Sequence, residues 1–217
     1  MKGEMIMSSK KAATLRVIVE VLFLALFVFL LRNRDLQRWF LVFGVGLLGA
    51  LFLGRIYCEW ICPMETLFRP IDWLYAKLRL KRLRTPAIFK NGVFRWAILI
   101  LFVVLMISVR VFKIKINLLL YITAFSVLVT LIFEEEFWHR YICPFGTLLT
   151  FFSKKPFFSM KVDKPSCVSC GICQKVCPVS AIEKESDGMK IDNSECLVCL
   201  KCKEKCPKLS ITYSRSE

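Results

Sequence analysis

CVSCGICQKVCP at residues 167–178 and CLVCLKCKEKCP at residues 196–207 share one spacing: three cysteines two residues apart, then a fourth three residues on, followed by proline. The spacing has a physical reason. Three thiolates in a short loop can wrap three irons of one cube, while the fourth, turned away at the proline, reaches a neighbouring cube. The implied partition is Cys167, Cys170, Cys173 and Cys206 for one [4Fe–4S] cluster, and Cys196, Cys199, Cys202 and Cys177 for a second. Zinc would use CxxC pairs and leave the remaining cysteines of each run without a role. A disulfide framework needs an oxidising compartment, and the charge distribution described below argues against one.

Short strands are expected at Met160-Lys161-Val162 and Met189-Lys190-Ile191, and Val179–Ile182 and Leu209–Thr212 follow each Cys-Pro at matching places. Residues 156–217 therefore read as a small α+β domain. Its apolar residues are too few for a core without metal, so the clusters are expected to supply much of its folding energy. Over about 160–214 it resembles bacterial-type two-cluster ferredoxins. That resemblance implies two pseudosymmetric halves around a pair of one-electron carriers.

Upstream the composition changes. The chain is 56% hydrophobic with a mean hydropathy of +0.55, and its long apolar runs lie at about 14–31, 38–57, 93–112 and 116–133. Each is near the ~17–25 residues a helix needs to cross a bilayer. Residues 1–155 are accordingly expected to form an α-helical membrane domain of four transmembrane helices. No small-residue cleavage site follows the first run, so it reads as a retained signal anchor. The net charge of +15 lies in Lys and Arg flanking apolar runs, where anionic lipid headgroups hold them; nucleic acid is not the expected partner. With the N-terminus inside, sixteen basic residues face inward, Lys2, Lys10, Lys11 and Arg16 among them. Six face outward: Arg32, Arg34, Arg38, Arg110, Lys113 and Lys115. The bias puts both termini and the cysteine-rich domain in the cytoplasm of a prokaryotic inner membrane.

The membrane half repeats at an offset of 81 residues. Ile61-Cys62-Pro63 falls on Ile142-Cys143-Pro144, and Thr66-Leu67 on Thr147-Leu148. Such parallel two-helix repeats often place a site between the halves. Gly46, Ala50 and Gly54 form a small-xxx-small run suited to close helix contact. Between the halves, residues 64–84 read as an interfacial helix with Leu67, Ile71, Leu74, Tyr75 and Leu78 on one face among basic neighbours.

A second constellation is Cys58-x3-Cys62-Pro63, matched by His139-x3-Cys143-Pro144. Each pair is four apart on a helix face, and Pro suits the first position of a new helix. Cys62 and Cys143 would then be N-caps, where the helix dipole favours thiolate. Together Cys58, Cys62, His139 and Cys143 could hold zinc, copper or an iron–sulfur cluster, or act as redox thiols. His139 is the only histidine, so a bis-His haem b within this chain is excluded. Glu20, inside the first apolar run, is an intramembrane acid and a functional candidate for that reason.

GRIYCEWICPMETLFRPID (54–72) and FWHRYICPFGTLL (137–149), placed before the cysteine tandem, resemble the membrane ferredoxin proteins of the NapH/MauN type, related to the membrane module of NosR. The resemblance covers nearly the whole chain and departs at His139, where relatives commonly carry Cys. It implies an electron-transfer subunit of a quinol-linked system, taking single electrons from a quinone/quinol pool or integral membrane partner to a redox partner protein. It equally allows an accessory, maturation or regulatory role working through the Cys58/Cys62/His139/Cys143 site. No nucleotide loop or flavin fingerprint marks a stand-alone enzyme.

Overall fold

The computed structural model describes residues 9–113 and 116–216, with side chains from Thr14 onward. Lys2 and Lys115 lie outside the described residues, as do the side chains of Lys10 and Lys11.

Uninterrupted apolar sequence gives long helices. Helix α1 spans Ser9–Arg32, α2 Trp39–Leu53 and α5 Gly92–Val111. Three helices, Thr14–Arg32, Leu36–Leu53 and Gly92–Val111, are long and apolar enough to cross a membrane. Their outward side chains stay bare, with Leu41 and Val45 each 73% exposed. Such a surface suits hydrocarbon rather than water.

The boundaries of two expected spans differ. The second was read as continuous over 38–57, but α2 stops at Leu53 because Gly54 adopts φ +72, a conformation that ends an α-helix. A side chain there would also press on Val198 at 3.4 Å. The short helix α3 (Ile56–Trp60) then turns away. The fourth was read over 116–133, yet α6 covers Leu118–Ile132. At fifteen residues it rises about 22 Å, short of the ~30 Å hydrocarbon core. It ends where Phe133 turns extended and Leu83 exchanges backbone hydrogen bonds with Ile132 and Glu134.

Helix α4 (Pro63–Leu78) buries Met64, Glu65 and Phe68 and packs on α1 and α6. On the apolar face expected from sequence, Leu67, Ile71 and Tyr75 are half-buried and Leu74 and Leu78 are exposed beside Trp73. Tyr75 anchors the second half, its hydroxyl donating to the Leu131 carbonyl at 2.6 Å. Helix α7 (Pro144–Phe152) follows the second Cys-Pro. The helical core is aromatic: Phe43 meets Tyr57 and Phe145 edge-on at 5.3 and 4.9 Å, and Trp39 donates to the Tyr57 hydroxyl at 2.9 Å. Gly46 permits this, because a Cβ there would lie 2.4 Å from the Tyr57 ring.

In the tail, β1 (Phe158–Val162) pairs antiparallel with β4 (Ile211–Arg215), and β2 (Ile182–Glu185) pairs with β3 (Gly188–Ile191). Short helices α8 (Ile172–Lys175) and α9 (Lys201–Lys205) lie between them. Met160, Ile182, Met189, Ile191 and Ile211 make a small core together with Cys173 and Cys202. The tail is seated on the ends of the apolar helices. Tyr213 donates to the Leu53 carbonyl at 2.9 Å and the Phe157 amide to that of Leu51 at 3.1 Å.

Candidate iron–sulfur site and the buried charges beneath it

Residues with positive φ shape both cysteine loops. Ser169 (+51) and Gly171 (+74) bend the first; Val198 (+56) and Leu200 (+62) bend the second. Gly171 and Leu200 then cap α8 and α9. These turns gather the eight tail cysteines around two pockets. One is lined by Cys167, Cys170, Cys173 and Cys206 with Val162, Ile172 and Met189. The other is lined by Cys177, Cys196, Cys199 and Cys202 with Val179, Ile191 and Leu197. Each loop thus lends its fourth cysteine to the other pocket.

All eleven cysteines are free thiols. Each pocket offers four soft sulfur donors in largely apolar walls, with no carboxylate or imidazole among its lining residues. That donor set fits a [4Fe–4S] cluster. Among the described residues, no three His, Cys, Asp or Glu side chains close in on the point where a single ion would sit. Backbone and hydroxyl groups already address the sulfurs: the Ala181 amide donates to Cys177 Sγ, and Ser210 Oγ lies beside Cys206 Sγ, both at 3.3 Å.

The second pocket lies against the helical half. Arg16 Nη1 donates to the Cys199 carbonyl at 2.8 Å, and Trp60 Nε1 to that of Val198 at 3.3 Å. Beneath it sits Arg55, wholly buried. Its guanidinium donates to Glu195 Oε2 at 2.8 Å, Thr150 Oγ1 at 3.0 Å and the His139 carbonyl at 3.3 Å, and lies 4.0 Å from Cys58 Sγ. Arg95 pairs with the other Glu195 oxygen. Glu195 precedes Cys196, so two arginines of the helical half clamp the second cysteine loop.

The Cys-Pro motifs have parallel backbones. The Cys62 amide donates to the Tyr57 carbonyl at 2.9 Å and the Cys143 amide to that of Trp138 at 2.8 Å, a wide turn in both. Cys62 and Cys143 are N-caps with Pro63 and Pro144 next, as expected. Thiolate character does not follow. Burial pushes Cys58 up, Cys62 well up and Cys143 to about 12, outweighing the amides at the helix starts. The three thiols are near enough that the charge of Cys58 helps raise the other two. His139, in a π-helical turn over Phe137–Ile142, aims its imidazole elsewhere: Nε2 lies 2.9 Å from Glu65 Oε2.

Sequence reasoning missed Arg55, Glu59, Glu65 and Glu195 as buried charges, and named Glu20 and His139 without their partners. Glu59 is fully buried, bonded to Arg16 at 2.9 Å, and burial with the neighbouring Glu65 raises it to about 8. Burial also pushes Glu65 upward, but the His139 hydrogen bond and charge hold it low. Glu20 is enclosed, 2.6 Å from Arg69 on α4. The signal was present in GRIYCEWICPMET, where Arg55, Glu59 and Glu65 interrupt an otherwise apolar and sulfur-rich stretch.

A family described as a 4Fe-4S binding domain matches twice, over residues 36–83 and 117–165, and a 4Fe-4S dicluster domain matches residues 159–207. An uncharacterized protein of Methanocaldococcus jannaschii is 31% identical over 200 residues, covering 78% of this chain and 83% of its own. A second from that organism is 31% identical over 137 residues, 62% of this chain and 56% of its own. The methylamine utilization ferredoxin-type protein MauN of Methylobacillus flagellatus is 26% identical over 148 residues, 59% of this chain and 50% of its own. No solved structure matches the chain. On this footing the chain belongs to the membrane ferredoxin-type proteins of the NapH/MauN kind, with 4Fe-4S-binding domains.

Proposed function

We propose that this chain is a membrane-bound electron-transfer protein with two [4Fe–4S] clusters, one on Cys167, Cys170, Cys173 and Cys206, the other on Cys196, Cys199, Cys202 and Cys177. It would pass single electrons between a quinone/quinol pool or integral membrane partner and a redox partner protein, as a subunit rather than a stand-alone enzyme. The observation that carries this reading is the sorting of eight thiols into two four-sulfur pockets by exchange of the fourth cysteine. When bound, each cluster supplies a one-electron couple. The chain's own residues do the rest. Apolar walls exclude water, amide and hydroxyl groups address the sulfurs, and Arg16, Arg55 and Trp60 hold the second loop on the helical half.

Residues 1–155 would then be a tandem two-helix membrane domain with its Cys-Pro motifs on the cytoplasmic side, and residues 156–217 the cytoplasmic cluster domain. The experiment is anaerobic reduction of detergent-purified protein by a short-chain quinol, followed by EPR. Two magnetically interacting centres that accept electrons support the reading; protein with no iron signal under strong reductant refutes it.

A second reading is favoured by Arg55, which reaches both Cys58 and Glu195 beside Cys196. In it, Cys58, Cys62 and Cys143, with or without His139, form a metal or redox-thiol centre fed from the tail in an accessory or maturation role. A Cys62→Ser/Cys143→Ser variant separates the two. Unchanged quinol-linked electron flow with lost metal loading of a partner enzyme favours the second.

A further inference from the structure

A cleft of about 810 Å3 lies between the helical half and the first cysteine loop. Lys175, Cys177 and Pro178 form its tail side, and Cys177 also lines the inner pocket. Its other side comes from the end of α4, the segment after it as far as Lys90, and the turn that follows α6. Both signs of charge line it. Of its four carboxylates, Asp72 pairs with Arg82, and Glu136 accepts from Ser180 at 3.0 Å and lies 4.0 Å from Arg140. Burial, the charge of Glu65 and hydrogen bonding with Asp72 push the Glu135 carboxyl well up, which favours its uncharged form. Glu134 is left as the unpaired negative charge of the lining. The cations are less balanced. Lys201 faces the buried Glu59 and Glu65, but Lys81, Arg84, Lys90 and Lys175 have no carboxylate partner among the described residues.

Two buried groups at the cleft also lack partners: Thr85 Oγ1 and Glu135 Oε1, in side chains 7 and 6% exposed. A third is Nε of Arg82, whose guanidinium is fixed over the Tyr75 ring at 4.5 Å. Polar atoms shut away from the surface call for a bonding partner. We propose that this cleft binds a phosphate group, the chemistry shared by an anionic phospholipid headgroup and a free phosphate compound. The four unpaired cations supply the field, and the Thr85 hydroxyl and Arg82 Nε supply inward donors, a set that suits phosphate oxygens. The segment that carries Lys81, Arg84 and Lys90 also exposes Leu80, Leu83 and Ile88, the last at 84%, as at a headgroup boundary. The binding is non-covalent and does not depend on the two-cluster reading.

The test uses full-length, iron-loaded protein in a phosphate-free detergent, titrated with each probe and read by native mass spectrometry. Phosphatidylglycerol is the lipid probe and inorganic pyrophosphate the soluble one. At least one should bind at one equivalent per chain. Lipid binding that pyrophosphate does not displace assigns the cleft to a headgroup; pyrophosphate binding without lipid assigns it to a free phosphate compound. Lys81→Gln/Arg84→Gln/Lys175→Gln should weaken the bound probe about tenfold, the effect of one charge-assisted hydrogen bond. Thr85→Val should weaken it severalfold. Iron content and unfolding midpoint should stay unchanged in both. Lys154→Gln/Lys155→Gln, which removes exposed charges outside the cleft, should bind as the wild type does. Binding of neither probe overturns the proposal. An equal loss in the Lys154→Gln/Lys155→Gln variant overturns it too, by assigning the effect to surface charge, as does full retention in both cleft variants.

Discussion

The two cysteine pockets have the same ligand spacing and opposite surroundings. The outer one opens to water through Cys170 and is bordered by exposed Val168 and Ile172. The inner one has Cys199 and Cys202 buried and its loop clamped by Arg16, Arg55 and Arg95. Ligand chemistry is therefore shared, while access is set by what packs against each loop. That asymmetry suits the proposed carrier role, with one pocket against the helical half and one open to solution.

The largest effect expected from breaking this comparison is loss of a pocket. Cys199→Ser/Cys202→Ser should remove about half the iron and loosen the tail from the helices. Cys167→Ser/Cys170→Ser should remove a similar share with the seat intact. Iron analysis and limited proteolysis distinguish the two outcomes. Next in size is the clamp. Glu195→Ala leaves Arg55 buried without its carboxylate and should cost about 3–5 kcal/mol, read as a lower unfolding midpoint in detergent. Lys164→Ala, breaking exposed pairs with Glu185 and Asp187 at the outer side, should leave that midpoint unchanged.

A smaller effect is pH dependence on the inner side. Glu59 holds its proton to about pH 8 in the fold, against an ordinary value of 4.5. The folded state then carries a proton that the unfolded chain releases, so stability should fall as pH rises from about 5 to 8. Glu59→Gln should flatten that slope in thermal unfolding scans at several pH values. Smallest of all, Leu209→Asp should change stability by no more than about 0.5 kcal/mol.

The grouping of the tail cysteines was legible in the sequence because their spacing repeats, and the structure lines one pocket with the first three of one run and the fourth of the other. The apolar helices were legible from length and hydropathy. Their ends were not. Gly54 stops α2 through a backbone angle, and α6 stops at Ile132 through pairing with Leu83, a residue far earlier in the chain. The burial of Met64, Glu65 and Phe68 in α4 escaped because it depends on α1 and α6 packing on this helix, which no local periodicity reports. At the Cys-Pro motifs the N-cap positions of Cys62 and Cys143 were legible from the proline after each. The burial that pushes Cys143 up to about 12 and the Glu65 side chain that takes His139 arise from tertiary contacts between distant segments.

The most direct test is the metal content of full-length protein purified without oxygen. Two cubes on eight thiolates require about eight irons and eight acid-labile sulfides per chain, with no zinc. Zinc in place of iron, or cystines among the tail cysteines, would contradict the account.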